Sequence, residues 1–529
     1  MSSADWWRHG VIYQVYPRSF QDSNGDGVGD LRGVINRLDY LQWLGIDAIW
    51  LTPITVSPDK DMGYDVADYC KVQSLFGDLT AVDTLIREAD RRNIKVVLDI
   101  VPNHTSDQHP WFVDARSSRG AHHRDWYVWA DPKPDGSPPN NWLSVFGGGA
   151  WTLDPPTGQY YLHNFLAEQP DLNWWNPEVR DAFDDIYRFW FDRGVAGFRI
   201  DVAHGIVKDR ELRDNPVATD EDPPHVREHG QRNVYNMERP EVHDVLRHWR
   251  QLADRYQPPR ILLGETYVLD VRTMGRFYGT GDELHLAFNF TYIHAPFSAA
   301  ALAEVVAESE LVIPDVGWPV WTVSNHDVSR VMSRWCADDE RKVRCALLSL
   351  LTLRGTPVLY YGDEIGMADT SIRKEDLQDP VGKRRWPLPG RDPVRTPMPW
   401  RPGGGGGFTD PGVKPWLPLG DVDRRNVDDQ RRDSGSTLSF VRDVIALRKG
   451  SAELRSGAYH QLPSPADTWV WRRGSQTTVA LNLSGKPVHI PGLRGRVDIA
   501  TSRRREGEPV QGELSLDAWE GAVCSSGST

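Results

Sequence analysis

Two stretches decide the fold: Ile94-Lys-Val-Val-Leu-Asp-Ile-Val-Pro-Asn-His104 and Ala196-Gly-Phe-Arg-Ile-Asp-Val-Ala-His204. Each is a mostly apolar run that ends in charged or hydrogen-bonding side chains. Runs rich in Val, Ile, Leu and aromatics read as strands covered on both faces. Six more have the same character: Val11–Pro17, Ile46–Pro53, Ile261–Tyr267, Leu284–Phe290, Val320–Asp327 and Pro357–Glu364. Helical stretches alternate with them. Thr80–Asn93 lines up Val82, Leu85, Ile86 and Ala89. Val179–Gly194 lines up Val179, Phe183, Ile186, Trp190 and Phe191. Arg341–Leu353 and Ser436–Gly450 read the same way. Eight strands alternating with helices predict an α/β fold, a (β/α)₈ TIM barrel.

Two connections are too long for ordinary loops. Thr105 to Asp171, rich in Trp, Gly and Pro, is read as a small inserted domain after strand three. Ser371 to Asp433 contains five consecutive glycines, Gly403–Gly407, and is read as a partly flexible excursion over the barrel mouth. From Ser451 the pattern changes to short strands separated by turn residues, such as Thr468–Arg472 and Thr477–Leu483. The expected organisation is a barrel over 1–104 and 172–450, an insertion over 105–171, and a C-terminal all-β sandwich over 451–529.

Composition bounds the function classes. The chain of 529 residues is 39% hydrophobic and 26% charged, enough to bury a large core. A net charge of −13 excludes a broad basic footprint for nucleic acid or an anionic membrane. No apolar run is long enough to span a bilayer. The opening MSSADWWRHG has no signal-peptide pattern, so a cytoplasmic location is expected. Cys70, Cys336, Cys345 and Cys524 have no CxxC spacing, which argues against a disulfide framework or a zinc site.

Barrel enzymes carry their chemistry at the C-terminal ends of strands. Here those ends read Asp99-Ile-Val-Pro-Asn103-His104, Gly197-Phe-Arg199-Ile-Asp201, Gly264-Glu265 and Asn325-His326-Asp327. Carboxylates, histidines and an arginine converge on one mouth, where unpartnered charge is costly.

These segments resemble glycoside hydrolase family 13, the α-amylase superfamily. Gly63-Tyr-Asp65, Gln169-Pro-Asp-Leu-Asn-Trp174 and Arg395-Thr-Pro-Met-Pro-Trp400 are similar to its α-glucosidase and oligo-1,6-glucosidase branch. The resemblance implies a retaining, exo-acting enzyme releasing α-glucose from the non-reducing end of maltose and short α-glucosides. Asp201 would be the nucleophile, Glu265 the general acid and base, and Asp327 would grip sugar hydroxyls. Retention needs two carboxyls roughly 5–5.5 Å apart, which neighbouring strands supply. Arg199 lies two residues before Asp201, on the same side of the strand, and its charge favours an ionised Asp201. His104 and His326 would bond the same sugar, and Tyr64 would stack beneath it. Asp61 and Arg395 would pair to close the pocket behind one glucose. Phe146 and Phe165 are further candidate substrate-binding residues. Met62 stands where the branch usually has Asn.

Alternatives within the family are an oligo-1,6-glucosidase, a transglucosylase or a disaccharide isomerase. Val202, after the nucleophile position, leans toward α-1,6 bonds, while Ala203-His204-Gly205 departs from the usual run. The Arg-Leu-Asp-Arg-Asp loop of sucrose isomerases is absent from the sequence. A phosphorylated substrate would need a basic cluster, for which Lys374, Lys383, Arg384 and Arg385 are candidates. A non-catalytic binding subunit is the reading from another class, and it conflicts with the presence of all three acids. A monomer or weak homo-oligomer is expected.

A second constellation follows strand one: Asp22-Ser-Asn24-Gly-Asp26-Gly-Val28-Gly-Asp30. Asp22, Asn24, Asp26, Asp30 and the Val28 carbonyl resemble the first part of a calcium loop, without the bidentate Glu of an EF-hand. The expectation is a structural Ca²⁺ or Mg²⁺ and no organic cofactor. A metal-free loop of Asx turns is the alternative.

Overall fold

A computed structural model describes residues 5–314, 316–388 and 390–526. Eight parallel strands form the barrel: β1 (Ile12–Val15), β2 (Ala48–Leu51), β3 (Lys95–Ile100), β4 (Gly197–Ile200), β5 (Ile261–Gly264), β6 (Leu286–Ala287), β7 (Val320–Thr322) and β8 (Thr356–Tyr360). Their order is β6-β5-β4-β3-β2-β1-β8-β7. A parallel bridge from Phe288 to Val320 closes the ring between β6 and β7.

All eight expected strands are present, each shorter than its apolar run. The runs overshoot mainly at their C-terminal ends. There the polar side chains leave the ladder and turn toward one another, as in Pro102-Asn103-His104, where His104 bridges to Asp171 instead.

Alternation along the strands sorts side chains into two layers. Ile12, Trp50, Val97, Leu263, Leu286, Val320 and Val358 fill the barrel interior. Tyr13, Ile49, Leu98, Phe198 and Leu262 face the surrounding helices. The same parity sends Asp99, Arg199 and, just beyond β5, Glu265 inward. Their aim is thus set by the packing of their apolar neighbours.

The helices start and pack as their sequences dictate. Leu79–Asp90 begins at Asp78, whose side chain accepts from the Ala81 amide. Pro177–Asp192 begins with Pro177 and an Asn176 cap, and buries Val179, Phe183, Ile186, Tyr187 and Trp190. Glu340–Thr352 ends against Arg448, a buried residue of helix Thr437–Gly450. Arg448 donates to the carbonyls of Leu351, Leu353 and Gly355 at 3.0, 3.1 and 2.5 Å.

Between β3 and β4, strands Trp129–Ala130, Gln159–Leu162 and Trp151–Asp154 make a small sheet with Gln159–Leu162 central. Trp142, Ala150, Trp151 and Leu162 form its core. In the excursion after β8, Gly403, Gly405, Gly406 and Gly407 all have positive φ, between 59° and 85°. Glycine alone adopts such a series without steric cost. The Gly406 carbonyl accepts from the amides of Trp400 and Arg401, so this turn is ordered by backbone hydrogen bonds.

The C-terminal strands are β9 (Tyr459–Leu462), β10 (Thr468–Arg473), β11 (Thr477–Asn482), β12 (Val488–Ala500), β13 (Pro509–Leu516) and β14 (Gly521–Ser525). They form one antiparallel sheet in the order β9-β10-β11-β14-β12-β13. Trp469, Trp471, Val479 and Leu481 join the core shared with the barrel helices. Val470, Ala480, Val497 and Leu514 build a separate core from the opposite face.

Arg448→Leu leaves the carbonyls of Leu351 and Leu353 at the helix end, and of Gly355 before β8, without this donor. We expect a loss of about 3 kcal/mol and a lower Tm in thermal unfolding, with unchanged stability as the contrary result.

Candidate active site

The centre of the site is one guanidinium shared by three carboxyl groups. Arg199 on β4 is buried. Its Nη1 lies 2.9 Å from Asp99 and 2.8 Å from Asp201, and its Nη2 lies 2.8 Å from Glu265. Beneath it, the Trp50 ring centre is 5.1 Å from the guanidinium carbon. Parallel register places Asp99 opposite Arg199 across β3 and β4. The Glu265 carboxylate also accepts from the Val202 amide at 2.9 Å.

These contacts set the protonation chemistry. Burial pushes Asp99 up to about 7, against the pull of Arg199. Burial and the charge of Glu265 raise Asp201, while Arg199 lowers it. Three acids on one cation favour keeping a proton within the cluster.

Asp327 is the opposite case. Desolvation raises its pKa, but His326, Arg395, Arg391 and Arg199 outweigh this and hold it below the usual carboxylate range. Burial drops His326 to about 3, so at neutral pH the arginines supply the positive charge. Asp327 sits 2.7 Å from Arg395 and 3.5 Å from Arg391. His326 Nε2 is 3.2 Å from Asp327, and its ring stacks on Tyr64 at 5.5 Å. The Tyr64 hydroxyl bridges Asp99 and His326, at 3.0 and 2.6 Å.

A cavity of about 450 Å³ opens onto these groups. Asp61, Tyr64, His104, Phe146, Phe165, Asp201, Glu265 and Asp327 line it, as does Arg391. Arg199, His326 and Arg395 stand behind this first layer and orient it. Burial lowers His104 to about 4, which makes it a neutral partner. Its Nε2 lies 3.0 Å from Gln169 and 3.1 Å from the Tyr64 carbonyl.

The expected Asp61–Arg395 pair is corrected by the structure. Asp61 pairs with Arg391 at 2.5 Å, and Arg391 also bonds Asp379 at 2.8 Å. Arg395 turns its guanidinium to Asp327 and to the His326 carbonyl, 2.8 Å away. Both arginines sit in Arg391-Asp-Pro-Val-Arg395, and a short 3-10 turn from Asp392 to Val394 carries them to different partners. Gln169 completes the closed end by donating to Asp61 at 3.2 Å. Met62 has φ 51°, a left-handed conformation that suits Asn better than Met.

Sequence reasoning also missed the wall supplied after β4. His204, Val226, His229, Met237 and Glu238 line the cavity from residues 204–238. That segment has no run of charged residues at a strand end, so it gave no local signal. Val202 has φ 46°, a strained conformation for a β-branched residue beside a functional acid. Lys374, Lys383, Arg384 and Arg385 do not line the cavity, and all four are exposed.

The Asp22–Asp30 loop folds as nested Asx turns. Asp22 accepts from the amides of Asn24, Gly25 and Gly27. Asn24 accepts from Asp26, and Asp26 from Val28. Asp30 caps the following helix at Gly33 and binds Ser23. Among the described residues, no group of three or more Asp, Glu, His or Cys is arranged to hold a metal. Among them, too, no helix is long and apolar enough to cross a membrane.

Residues 14–457 match the family described as alpha amylase, catalytic domain. The chain is 45% identical over 468 residues to a probable alpha-glucosidase of Rhizobium meliloti (strain 1021), covering 86% of this chain and 84% of that protein. It is 37% identical over 527 residues to an oligo-1,6-glucosidase of Heyndrickxia coagulans, covering 92% and 93%. The crystal structure of the alpha-glucosyl transfer enzyme XgtA superposes with a TM-score of 0.92 at 41% identity, covering 98% of this chain and 99% of that one. The chain belongs to the α-amylase family, glycoside hydrolase family 13, and is a glycoside hydrolase.

Arg199→Gln removes the shared cation. We expect kcat to fall by about 10²–10⁴-fold and the acid limb of the pH–rate profile to move to higher pH, since Asp201 loses the charge that favours its ionised form. An unmoved acid limb would show that Arg199 does not set this ionisation.

Proposed function

We propose that this enzyme is a retaining, exo-acting α-glucosidase on maltose and short α-glucosides. The observation that carries the reading is the Arg199 cluster, which holds Asp201 and Glu265 together at one end of a closed pocket. Asp201 attacks the anomeric carbon and forms a β-glucosyl ester. Glu265 gives its proton to the departing oxygen, then takes one from the incoming water. Two carboxyls that meet one guanidinium, at 2.8 Å each, support the short-separation, retaining reading. Asp327, kept anionic by its arginines, binds hydroxyls of the distorted ring. Tyr64 supports the flat face of the sugar, and His104 meets its hydroxyls as a neutral group.

Exo action follows from the closed end. Asp61, Gln169 and Arg391 occupy the place where a longer chain would pass, and their charge-assisted bonds fit terminal hydroxyls. Glucosyl transfer to a sugar acceptor uses the same intermediate, and similarity to the transfer enzyme XgtA favours it as a second activity.

The Asp22–Asp30 loop is proposed to hold a structural Ca²⁺ or Mg²⁺. Its oxygen-only donors, Asp22, Asn24, Asp26, Asp30 and the Val28 carbonyl, suit a hard cation. None of them lines the cavity, and no step of the reaction passes through the ion.

Proton NMR of maltose and isomaltose turnover tests the main reading. Initial release of α-glucose is expected, with none from Asp201→Asn; initial β-glucose, or a fully active variant, would overturn it. For Arg391→Gln the KM for maltose should rise about a hundredfold, more than for Arg395→Lys. Equal effects would remove the assignment of Arg391 to the closed end. Calcium added to EDTA-treated protein should raise Tm, and an unchanged Tm with either ion would leave the loop metal-free.

A further inference from the structure

A second cavity, of about 460 Å³, shares no lining residue with the catalytic one. It is walled by residues 367–371, which follow β8, and by residues from 419–425 of the long excursion. Asp338, ahead of helix Glu340–Thr352, and Pro399 complete it. Its size falls within the range of small-molecule sites, roughly 300–1,000 Å³. Nothing in the reaction proposed above uses it.

The walls are held by bonds within the protein. Asp369 accepts from the Ser329 hydroxyl at 2.5 Å and from the Arg330 amide at 2.8 Å. The Thr370 and Thr396 hydroxyls bond at 3.1 Å. Asp338 bridges Arg424 and Arg425, the latter at 2.7 Å. Ala337 and Asp338 have φ of 48° and 66°, a left-handed conformation that costs energy and that these ion pairs sustain. A wall fixed in advance lowers the ordering cost of binding.

The lining selects a ligand class. Arg425 is 6% exposed, and its Nη1 pairs with Asp338, while Nε and Nη2 have no hydrogen-bond partner among the described residues. Buried donors left unpaired are costly, which favours a ligand that brings oxygen acceptors. Asp338, Asp369 and Asp421 outnumber Arg424 and Arg425, so an anion is disfavoured. Asp338 and Asp369 are already committed to the arginines, Ser329 and Arg330, which disfavours a cation. Met367, Pro399 and Leu419 add apolar surface beside these polar groups. A neutral ring that presents both hydroxyls and C–H faces matches the whole set.

We propose that this cavity is a second, non-catalytic site for a neutral sugar of monosaccharide size. Sugar hydroxyls donate to the aspartates, and sugar oxygens accept from Arg424 and Arg425. The site does not depend on the glucosidase reading above. Gly420 offers a way to close it. A Cβ there would lie 3.0 Å from the Thr370 hydroxyl, and the backbone φ of Gly420 is outside the left-handed region, so a larger side chain can be added and would narrow the cavity.

The test is amide hydrogen exchange, read by mass spectrometry on the full chain, with D-glucose as the probe and inorganic phosphate as the anionic control. Glucose at twice its dissociation constant should slow exchange about threefold in peptides covering 367–371 and 419–425. Phosphate should not. Gly420→Leu should abolish this protection while its kcat on maltose stays within about twofold of the parent. Arg424→Ala, an exposed change that leaves Gly420 in place, should weaken glucose binding at these peptides about tenfold. No protection there in the parent chain, equal protection by phosphate, or protection that survives both variants would overturn the proposal, and maltose turnover in the same samples would leave the glucosidase reading standing. Protection at these peptides without turnover of maltose or isomaltose would overturn that reading alone.

Discussion

Arg199 brings a full positive charge into a barrel interior otherwise packed with Ile, Val, Leu, Trp and Phe. Desolvating such a charge is expensive, and it is stable there because Asp99, Asp201 and Glu265 meet it. The dependence runs both ways. Three carboxyl groups could not share this volume without the cation. Removing either side leaves buried charge unpaired, so the site is one electrostatic unit rather than a set of separate residues. The apolar alternation of β3, β4 and β5 aims all four side chains inward, so the packing of the barrel and the geometry of the chemistry have one origin.

A second charge balance closes the pocket. Asp61, Asp327 and Asp379 face Arg391 and Arg395. These groups come from the loops after β2 and β7 and from the long excursion after β8. Residues distant in sequence are thereby held against one another, and Gln169 from the segment between β3 and β4 joins them. Buried Lys208 extends the same logic, pairing with Asp171 at 2.9 Å and bonding Asn103, so the loops after β3 and β4 are tied to one another.

The barrel was legible because both-face burial writes itself as uninterrupted apolar runs. The acids were legible because they stand where those runs stop. Strand ends were less so: the residues after Ile100 and Ile200 remain apolar in part while their backbones leave the sheet. Arg391 was missed because two arginines four residues apart present the same local pattern. Which one meets Asp61 depends on the turn between them and on Asp379, a contact across 12 residues of loop. The wall from helix Pro224–His229 carried no pattern at all, since a helix that buries nothing has no apolar stripe to reveal it. Local periodicity thus reports elements with a core, and loops that shape a pocket escape it.

Everything proposed for the reaction rests on Asp201 as the atom that bonds the sugar while Glu265 handles the proton. The most direct measurement is the mass of the acid-quenched Glu265→Gln enzyme after reaction with α-glucosyl fluoride, whose fluoride leaves without protonation. A covalent gain of one glucosyl residue is expected, located by peptide mapping on the peptide containing Asp201 and absent when Asp201 is replaced by Asn. A gain on another residue, or rapid turnover with no adduct at any time, would contradict it.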